Sequence, residues 1–161
     1  MTRNLKSVLA LFVALFCLMY ALQNVVNLQS AFAFVQLVVG MSGHEAYPNH
    51  FGPAFASPAI VWLLLWIIIT AEALAGLLAA KGALDMWRAR NAGADSFNAA
   101  KKYGILGAGL AVIIWFGFFS AIGGAYFQMW QTQAGAQALQ GAFQYSMLNG
   151  LILIFLSMRD E

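Results

Sequence analysis

The sequence predicts an all-α fold, a bundle of four transmembrane helices, and two observations support this prediction. Of the 161 residues, 62% are hydrophobic and only 9% are charged, which is too few charges to cover the surface of a soluble domain. The apolar residues also fall into four long runs, and about 20 such residues in a helix cross a bilayer core. We therefore expect one integral membrane domain over residues 1–161, with spans at about 7–27, 59–80, 103–127 and 138–158.

The first apolar run follows a short basic start that contains Arg3 and Lys6. This pattern resembles a secretory signal peptide, which would be removed from the mature protein. However, Met19 stands where signal cleavage requires a small residue, and the bulky Phe16 precedes Cys17. We therefore expect the first run to be an uncleaved membrane anchor.

Between the first two spans, the chain alternates apolar and turn-forming segments. The run Leu28–Met41 is apolar but too short to cross a bilayer, so it predicts a short helix at the outer surface of the membrane or, alternatively, a re-entrant segment. The segment Gly52–Pro58, GPAFASP, then breaks the helix before the second span. Between the second and third spans, residues 81–102 predict a helix end, a polar turn and the lead into the next helix.

The positions of the basic residues predict how the chain is threaded. Neither residues 28–58 nor residues 128–141 contain a Lys or an Arg, so all the positive charge lies on one side of a four-span protein. Positively charged loops face the cytoplasm, which predicts that both termini are cytoplasmic. The eight basic residues are Arg3, Lys6, Lys81, Arg88, Arg90, Lys101, Lys102 and Arg159.

Glu72 stands out because it is an acid within the second apolar run, IIITAEALAGLL. A charged side chain at a helix centre costs about 2.5–3.5 kcal/mol on insertion scales, so it normally faces other helices. Asn149 of the fourth span is expected at nearly the same depth and offers amide donors, and Trp115 of the third span lies about one turn further out. We expect these three residues to form an intramembrane polar site. It would serve either as a structural hydrogen bond between helices or as a proton or ion site.

A second set of polar side chains is expected at the outer ends of the helices. It includes amide side chains at the outer end of the first span. It also includes the segment that joins the third and fourth spans, which contains six glutamines. This outer polar and aromatic cap is either a belt that satisfies helix ends or a docking surface for a membrane subunit or head group. Its predicted members are Asn24, Asn27, Trp130, Gln131 and Gln137.

Residues that would support catalysis, metal binding or a cofactor are not evident in the sequence. The only histidines, His44 and His50, both lie in the outer loop, away from the membrane depth at which a buried haem needs its axial ligands. Their segment HEAYPNH lacks the HExxH spacing of a zinc protease, and Cys17 is the only cysteine. We expect no catalytic residues, no metal site, no cofactor and no enzymatic activity. The net charge of +2 gives no reason to expect nucleic acid as a partner.

Three segments resemble a known family. They are NVVNLQSAFAFVQLVVGM after the first span, FQMWQTQAGAQALQGAF before the fourth, and LIFLSMRDE at the C-terminus. They are similar to the bacterial predicted small integral membrane proteins classed as a domain of unknown function, which are four-span proteins of about this length. The most specific match is Met129–Gln131 with Gln137 downstream, and the position of Glu72 fits as well. The resemblance implies a multi-pass protein of the bacterial inner membrane and supplies no activity.

The function that best fits these observations is a non-catalytic accessory or scaffold subunit of a membrane complex. Its partners would be the lipid bilayer and other membrane subunits, as a homo- or hetero-oligomer. One alternative is a small transporter or channel that uses Glu72 and Asn149 as a site at the middle of the membrane. Another is a quinone- or lipid-binding module that uses the outer aromatic residues.

Overall fold

The computed structural model describes residues 1–161 and is entirely helical between its loops and turns. The sequence therefore correctly predicts the all-α class. Helix α1 begins directly at the basic N-terminus, α3 begins at Pro58, and a threonine side chain caps the first turn of α6. The elements are α1 (Thr2–Val26), α2 (Leu28–Val39), α3 (Pro58–Ala89), α4 (Ala94–Ala100), α5 (Lys102–Val112), a π-helical segment (Ile113–Tyr126), a 3₁₀ turn (Met129–Gln131) and α6 (Gln133–Ser157).

Four helical stretches are long and apolar enough to cross a membrane, as predicted. They are α1, α3, the continuous stretch Ala94–Tyr126 and α6. Each contains or closely overlaps one predicted span. The largest differences are at the end of α3, which continues beyond the predicted boundary at residue 80 to Ala89, and at the start of the third stretch, which begins at Ala94 and not at residue 103.

The helices are arranged so that α3 packs against α1 on one side and α5 on the other, while α6 packs against α5 and the π-helical segment. The contact between α1 and α6 is light, and α3 and α6 lie at opposite corners of the bundle. The α3–α5 interface depends on glycine, because a β-carbon on Gly82 would collide with the backbone of Gly104. One on Gly107 would come within 2.5 Å of Ala79 N. Small residues at these positions let the two backbones approach closely.

The third spanning helix changes from α-helical to π-helical geometry at Ile113. The wider hydrogen-bonding pattern is visible where Phe127 N donates to Ile122 O, five residues earlier, at 2.9 Å. The Ser120 hydroxyl donates to Trp115 O, also five residues earlier, at 3.1 Å. Single-turn π-bulges are frequent at functional sites, and an uninterrupted segment of 14 residues is far longer than such a bulge.

The two termini meet at one end of the bundle, where three charged side chains form a buried cluster. Lys6 and Lys101 both form ion pairs with Asp160, and both donate to Met158 O at 2.7 Å. The side chains of Lys6, Lys101 and Asp160 are 1%, 3% and 8% exposed. Burial by itself raises the pKa of Asp160. The ammonium groups of Lys101 and Lys6 lower this pKa by more than burial raises it, so the net pKa lies below its usual value. This cluster connects the C-terminal tail to α1 and to the junction between α4 and α5.

At the end of the bundle opposite the termini, the short helix α2 packs over the spanning helices. The sequence predicts this helix after the first span. The chain bends at Asn27, and α2 then packs Val35, Val38 and Val39 against the first turns of α3. The following loop is held to it, since Phe55 N donates to Val39 O at 2.8 Å. The bundle end opposite the termini is therefore closed by α2 and its loop.

Candidate functional site

Glu72 is buried in the bundle, with 1% of its surface exposed, as expected for an acid in a spanning helix. It lies on the face of α3 that carries Ala75 and Gly76, and this face packs against α1. A β-carbon on Gly76 would lie only 2.6 Å from Leu18 Cγ, so the helices are close at this level. The carboxylate oxygen Oε2 of Glu72 accepts a hydrogen bond from Asn24 Nδ2 at 2.9 Å. The structure therefore gives Glu72 a partner on α1.

The predicted hydrogen bond between Glu72 and Asn149 is wrong. Asn149 is 4% exposed, as its proposed role required, but its Nδ2 donates to Tyr145 O of the same helix at 2.8 Å. The prediction matched the two residues by depth alone, whereas α3 and α6 lie at opposite corners of the bundle. Equal depth does not bring two side chains together when other helices separate them.

Trp115 belongs to an aromatic cluster that fills the space between α1, the π-helical segment and α6. Its ring lies 4.8 Å from Phe16, 5.7 Å from Tyr20 and 6.0 Å from Tyr145, measured between centroids. The hydroxyls of Tyr20 and Tyr145 are hydrogen-bonded at 2.6 Å. Neither tyrosine is among the residues predicted for the intramembrane polar site. Their only signal is that each occurs inside a spanning helix, where a hydroxyl needs a partner.

Beside Glu72, an apolar cavity of about 300 Å³ lies between α2, α3 and the π-helical segment. Of its 16 lining residues, 14 are hydrophobic, and Asn24 supplies the only polar side chain. Two exposed residues flank the opening, Ile67 on α3 and Ile122 on the π-helical segment. Both helices are membrane spans by length and composition, so the opening faces the region where lipid chains would lie.

Asn24 connects the cavity with the buried acid. One of its amide hydrogens is donated to Glu72, which leaves a second N–H and the carbonyl oxygen to serve a ligand. No lysine or arginine lines the cavity. The arrangement suits a molecule that has an apolar body and an uncharged polar group able to donate or accept a hydrogen bond.

The predicted outer cap is divided among separate places. Asn24 points into the bundle, while Asn27 Nδ2 donates to Gln23 O of its own helix at 2.9 Å. Gln131 Oε1 accepts from Tyr47 N at 2.8 Å, and Trp130 packs edge-on against the Tyr47 ring at 5.4 Å between centroids. These two residues hold the outer loop. Gln137 is exposed on α6, away from them.

Comparison with models of protein families gives a match that covers nearly all of the chain. No curated protein and no solved structure matches it. A family model described as predicted small integral membrane protein (DUF2165) matches residues 2–159. The match agrees with the four spanning helices and with the resemblance noted in the sequence. The chain belongs to the DUF2165 family of predicted small integral membrane proteins.

Proposed function

We propose that this protein is a non-catalytic, multi-pass binding protein of the bacterial inner membrane, and that its cavity takes up an amphipathic, lipid-soluble molecule. The observation that carries the proposal is the apolar cavity with Asn24 as its single polar side chain. A quinone- or lipid-binding module was one alternative drawn from the sequence. The cavity supports that alternative, although the outer aromatic residues Tyr47 and Trp130 do not line it.

The shape and charge of the cavity narrow the class of ligand. Its volume of about 300 Å³ is at the lower end of the range for ligand pockets, so one ring or a short part of a chain fits inside. A phosphate group would need a cationic partner, and none lines the cavity. An uncharged carbonyl or hydroxyl beside Asn24 fits best. This chemistry is found in quinones and in neutral lipids.

Filling the cavity tests this proposal. Ala31 lines the cavity, whereas Ala33 lies on the exposed face of the same helix, so Ala31→Phe and Ala33→Phe form a matched pair. Each variant would be purified from native membranes in mild detergent, and the small molecules retained per chain would be extracted and measured by mass spectrometry. We expect Ala31→Phe to retain at least about sixfold less of one neutral species than wild type and Ala33→Phe do. Below saturation of the site, this loss corresponds to ~1.1 kcal/mol in binding free energy. Equal retention by all three proteins would contradict the proposal.

The transporter alternative is not supported by the positions of Glu72 and Asn149. It required Glu72 and Asn149 to form one site, and each has another partner. Between Glu72 and the charged cluster at the termini, the core of the bundle is formed by apolar residues such as Ala79, Ala83 and Met86.

An accessory or scaffold subunit of a membrane complex is the second candidate. The observation in its favour is a set of exposed glutamines on α6, whose unpaired amides require a partner from some other chain. Purification in mild detergent followed by intact-mass measurement tests this candidate. A stable complex with a different protein would support it, and recovery of this chain alone would exclude it.

We also propose that the end of the bundle containing both termini faces the cytoplasm. The support is that all the basic residues lie outside the two segments joining spans at the opposite end. Asn49 and Asn91 are exposed and lie in loops at opposite ends, so Asn49→Cys and Asn91→Cys are matched probes in a Cys17→Ala background. A membrane-impermeant maleimide should label residue 49 in intact spheroplasts and residue 91 only after lysis. The reverse pattern would invert the topology.

A further inference from the structure

Four glutamines form a stripe along the exposed face of α6. Gln133, Gln137, Gln140 and Gln144 are spaced by four, three and four residues, which places them on one side of the helix. All four side chains are exposed, and none forms a hydrogen bond within the chain. Because α6 packs against α5 and the π-helical segment with its other side, this stripe faces outward from the bundle.

Part of the stripe lies within the membrane. At ~1.5 Å per residue, the ~30 Å hydrocarbon core takes up about 20 residues of helix. Counted back from the end of α6 at Ser157, this places Gln140 and Gln144 inside the outer part of the core. The glutamines also help to make α6 the least apolar of the four spanning helices. Lipid chains offer these amides no hydrogen bond, so a protein partner is the arrangement that satisfies them.

We propose that a second copy of this chain packs against α6, forming a dimer about a two-fold axis along the membrane normal. The spacing of the stripe continues into the inner half of the helix through Met147, Leu151 and Ile154, which are 52%, 60% and 64% exposed. Alternating steps of three and four residues are the repeat by which two parallel helices pack along a left-handed seam. The exposed seam therefore extends along most of α6.

The chemistry of the stripe favours an identical partner over a different protein. In a parallel pair with two-fold symmetry, each seam residue meets its own copy, so glutamine faces glutamine and apolar residues face apolar residues. The glutamine amide carries both donors and an acceptor and is therefore complementary to itself. An axis along the membrane normal also gives both copies the same threading. No residue of α6 lines the cavity, so the dimer is independent of the proposed ligand site.

Cysteine cross-linking in native membranes tests the dimer. In a Cys17→Ala background, single cysteines would replace Gln137, Gln140, Gln144 and Met147. Phe12→Cys on α1 and Leu63→Cys on α3 are controls, because these residues are 60% and 59% exposed on other faces. After mild oxidation we expect the seam positions to give at least five times more disulfide-linked dimer than the controls.

A second variant distinguishes the glutamine seam from chance encounters in the membrane. Gln140→Leu together with Gln144→Leu, introduced into Met147→Cys, should reduce its cross-linking at least threefold while the protein accumulates normally. Seam yields no higher than those of Phe12→Cys would overturn the proposal. It would also be overturned by undiminished cross-linking in the leucine variant, or by adducts whose mass shows a different protein on α6.

Discussion

At the scale of single residues, the environment of Glu72 is determined by one neighbour on another helix. Asn24 Nδ2 donates to its carboxylate at 2.9 Å, and small residues around Glu72 on α3 allow α1 to approach. Asn24 also lines the cavity, so the same side chain serves both the buried acid and the proposed ligand. The hydrogen bond therefore orients the amide group that faces the cavity.

A double-mutant cycle should locate the partner of Glu72. We expect Glu72→Leu and Asn24→Leu to be coupled by about 0.6–1.7 kcal/mol in the free energy of unfolding, the range for hydrogen bonds between membrane helices. The same cycle between Glu72→Leu and Asn149→Leu should give a coupling near zero, because Asn149 bonds to its own helix. SDS titration in mixed micelles, followed by tryptophan fluorescence, measures both. A larger coupling with Asn149 than with Asn24 would contradict the structure.

Burial of Glu72 and Asn149 follows from the sequence, but their partners do not. A polar residue in an apolar run has to face protein, and this argument holds for both residues. Which protein surface it faces depends on which helices adjoin. Hydropathy describes the depth of each helix separately and carries no information about its neighbours. The pairing of Tyr20 with Tyr145 escaped prediction for the same reason.

At the scale of elements, the contact between α3 and α5 rests on glycines. A β-carbon on Gly82 would collide with the backbone of Gly104, which belongs to a packed helix and cannot move aside as a flexible side chain could. This contact positions α5 and the π-helical segment that follows it, and so one wall of the cavity.

Adding one methyl group at this contact should destabilise the protein. We expect Gly82→Ala to lower the free energy of unfolding by about 1–3 kcal/mol, the usual cost of overpacking. Gly150→Ala is the matched control, since nothing lies within 4 Å of a β-carbon there. That substitution should stabilise α6 by about 0.5–1 kcal/mol through helix propensity. SDS unfolding again measures the difference, and equal effects at the two positions would refute the proposed role of Gly82.

The π-helical segment could not be predicted from the sequence. Its residues, IIWFGFFSAIGGAY, are mostly apolar and are typical of an ordinary spanning helix. The hydropathy of a segment does not depend on whether each carbonyl accepts a hydrogen bond from the N–H four residues ahead, as in an α-helix, or five residues ahead, as in a π-helix. The cavity escaped prediction with it, because Phe118, Phe119 and Ile122 of this segment form its wall.

At the scale of the whole molecule, the cluster of Lys6, Lys101 and Asp160 joins the two ends of the chain. The basic residues predict that both termini lie in the cytoplasm, and this placement stays a prediction. Their pattern does not reveal that Asp160 forms ion pairs with two of the lysines. The sign of a charge indicates which side of the membrane a segment prefers, whereas its ion-pair partner depends on the folded bundle.

Asp160 should make stability depend on pH in the acidic range. Its pKa is lower in the folded protein than in the unfolded chain, where it is about 3.9, so folding favours the ionised form. The stabilisation is therefore present above about pH 4 and is lost as the pH falls through the lower, folded pKa. We expect the free energy of unfolding of the wild type to decrease below about pH 4, and this decrease to be smaller in Asp160→Asn.

At neutral pH, Asp160→Asn should lower stability by about 2–3 kcal/mol, because two buried ammonium groups lose their counter-ion. This is less than the ~3–5 kcal/mol lost when a fully enclosed pair is broken, since the cluster lies at the end of the bundle. Asp95→Asn is the control, as Asp95 is 96% exposed and its ion pair with Arg159 is 3.4 Å long. Unfolding curves that are identical for the two variants would show that the cluster contributes nothing.

We propose that the cavity binds one particular ligand selectively and is not occupied non-specifically by membrane lipids. The most direct test of this proposal places a photoreactive benzoylphenylalanine at Phe34, which lines the cavity, and at Phe12, which is exposed on α1. After illumination of native membranes, intact-mass spectrometry identifies what each position has captured. We expect one discrete, phosphate-free adduct at position 34 and a broad range of phospholipid adducts at position 12. The same phospholipid distribution at both positions would contradict it.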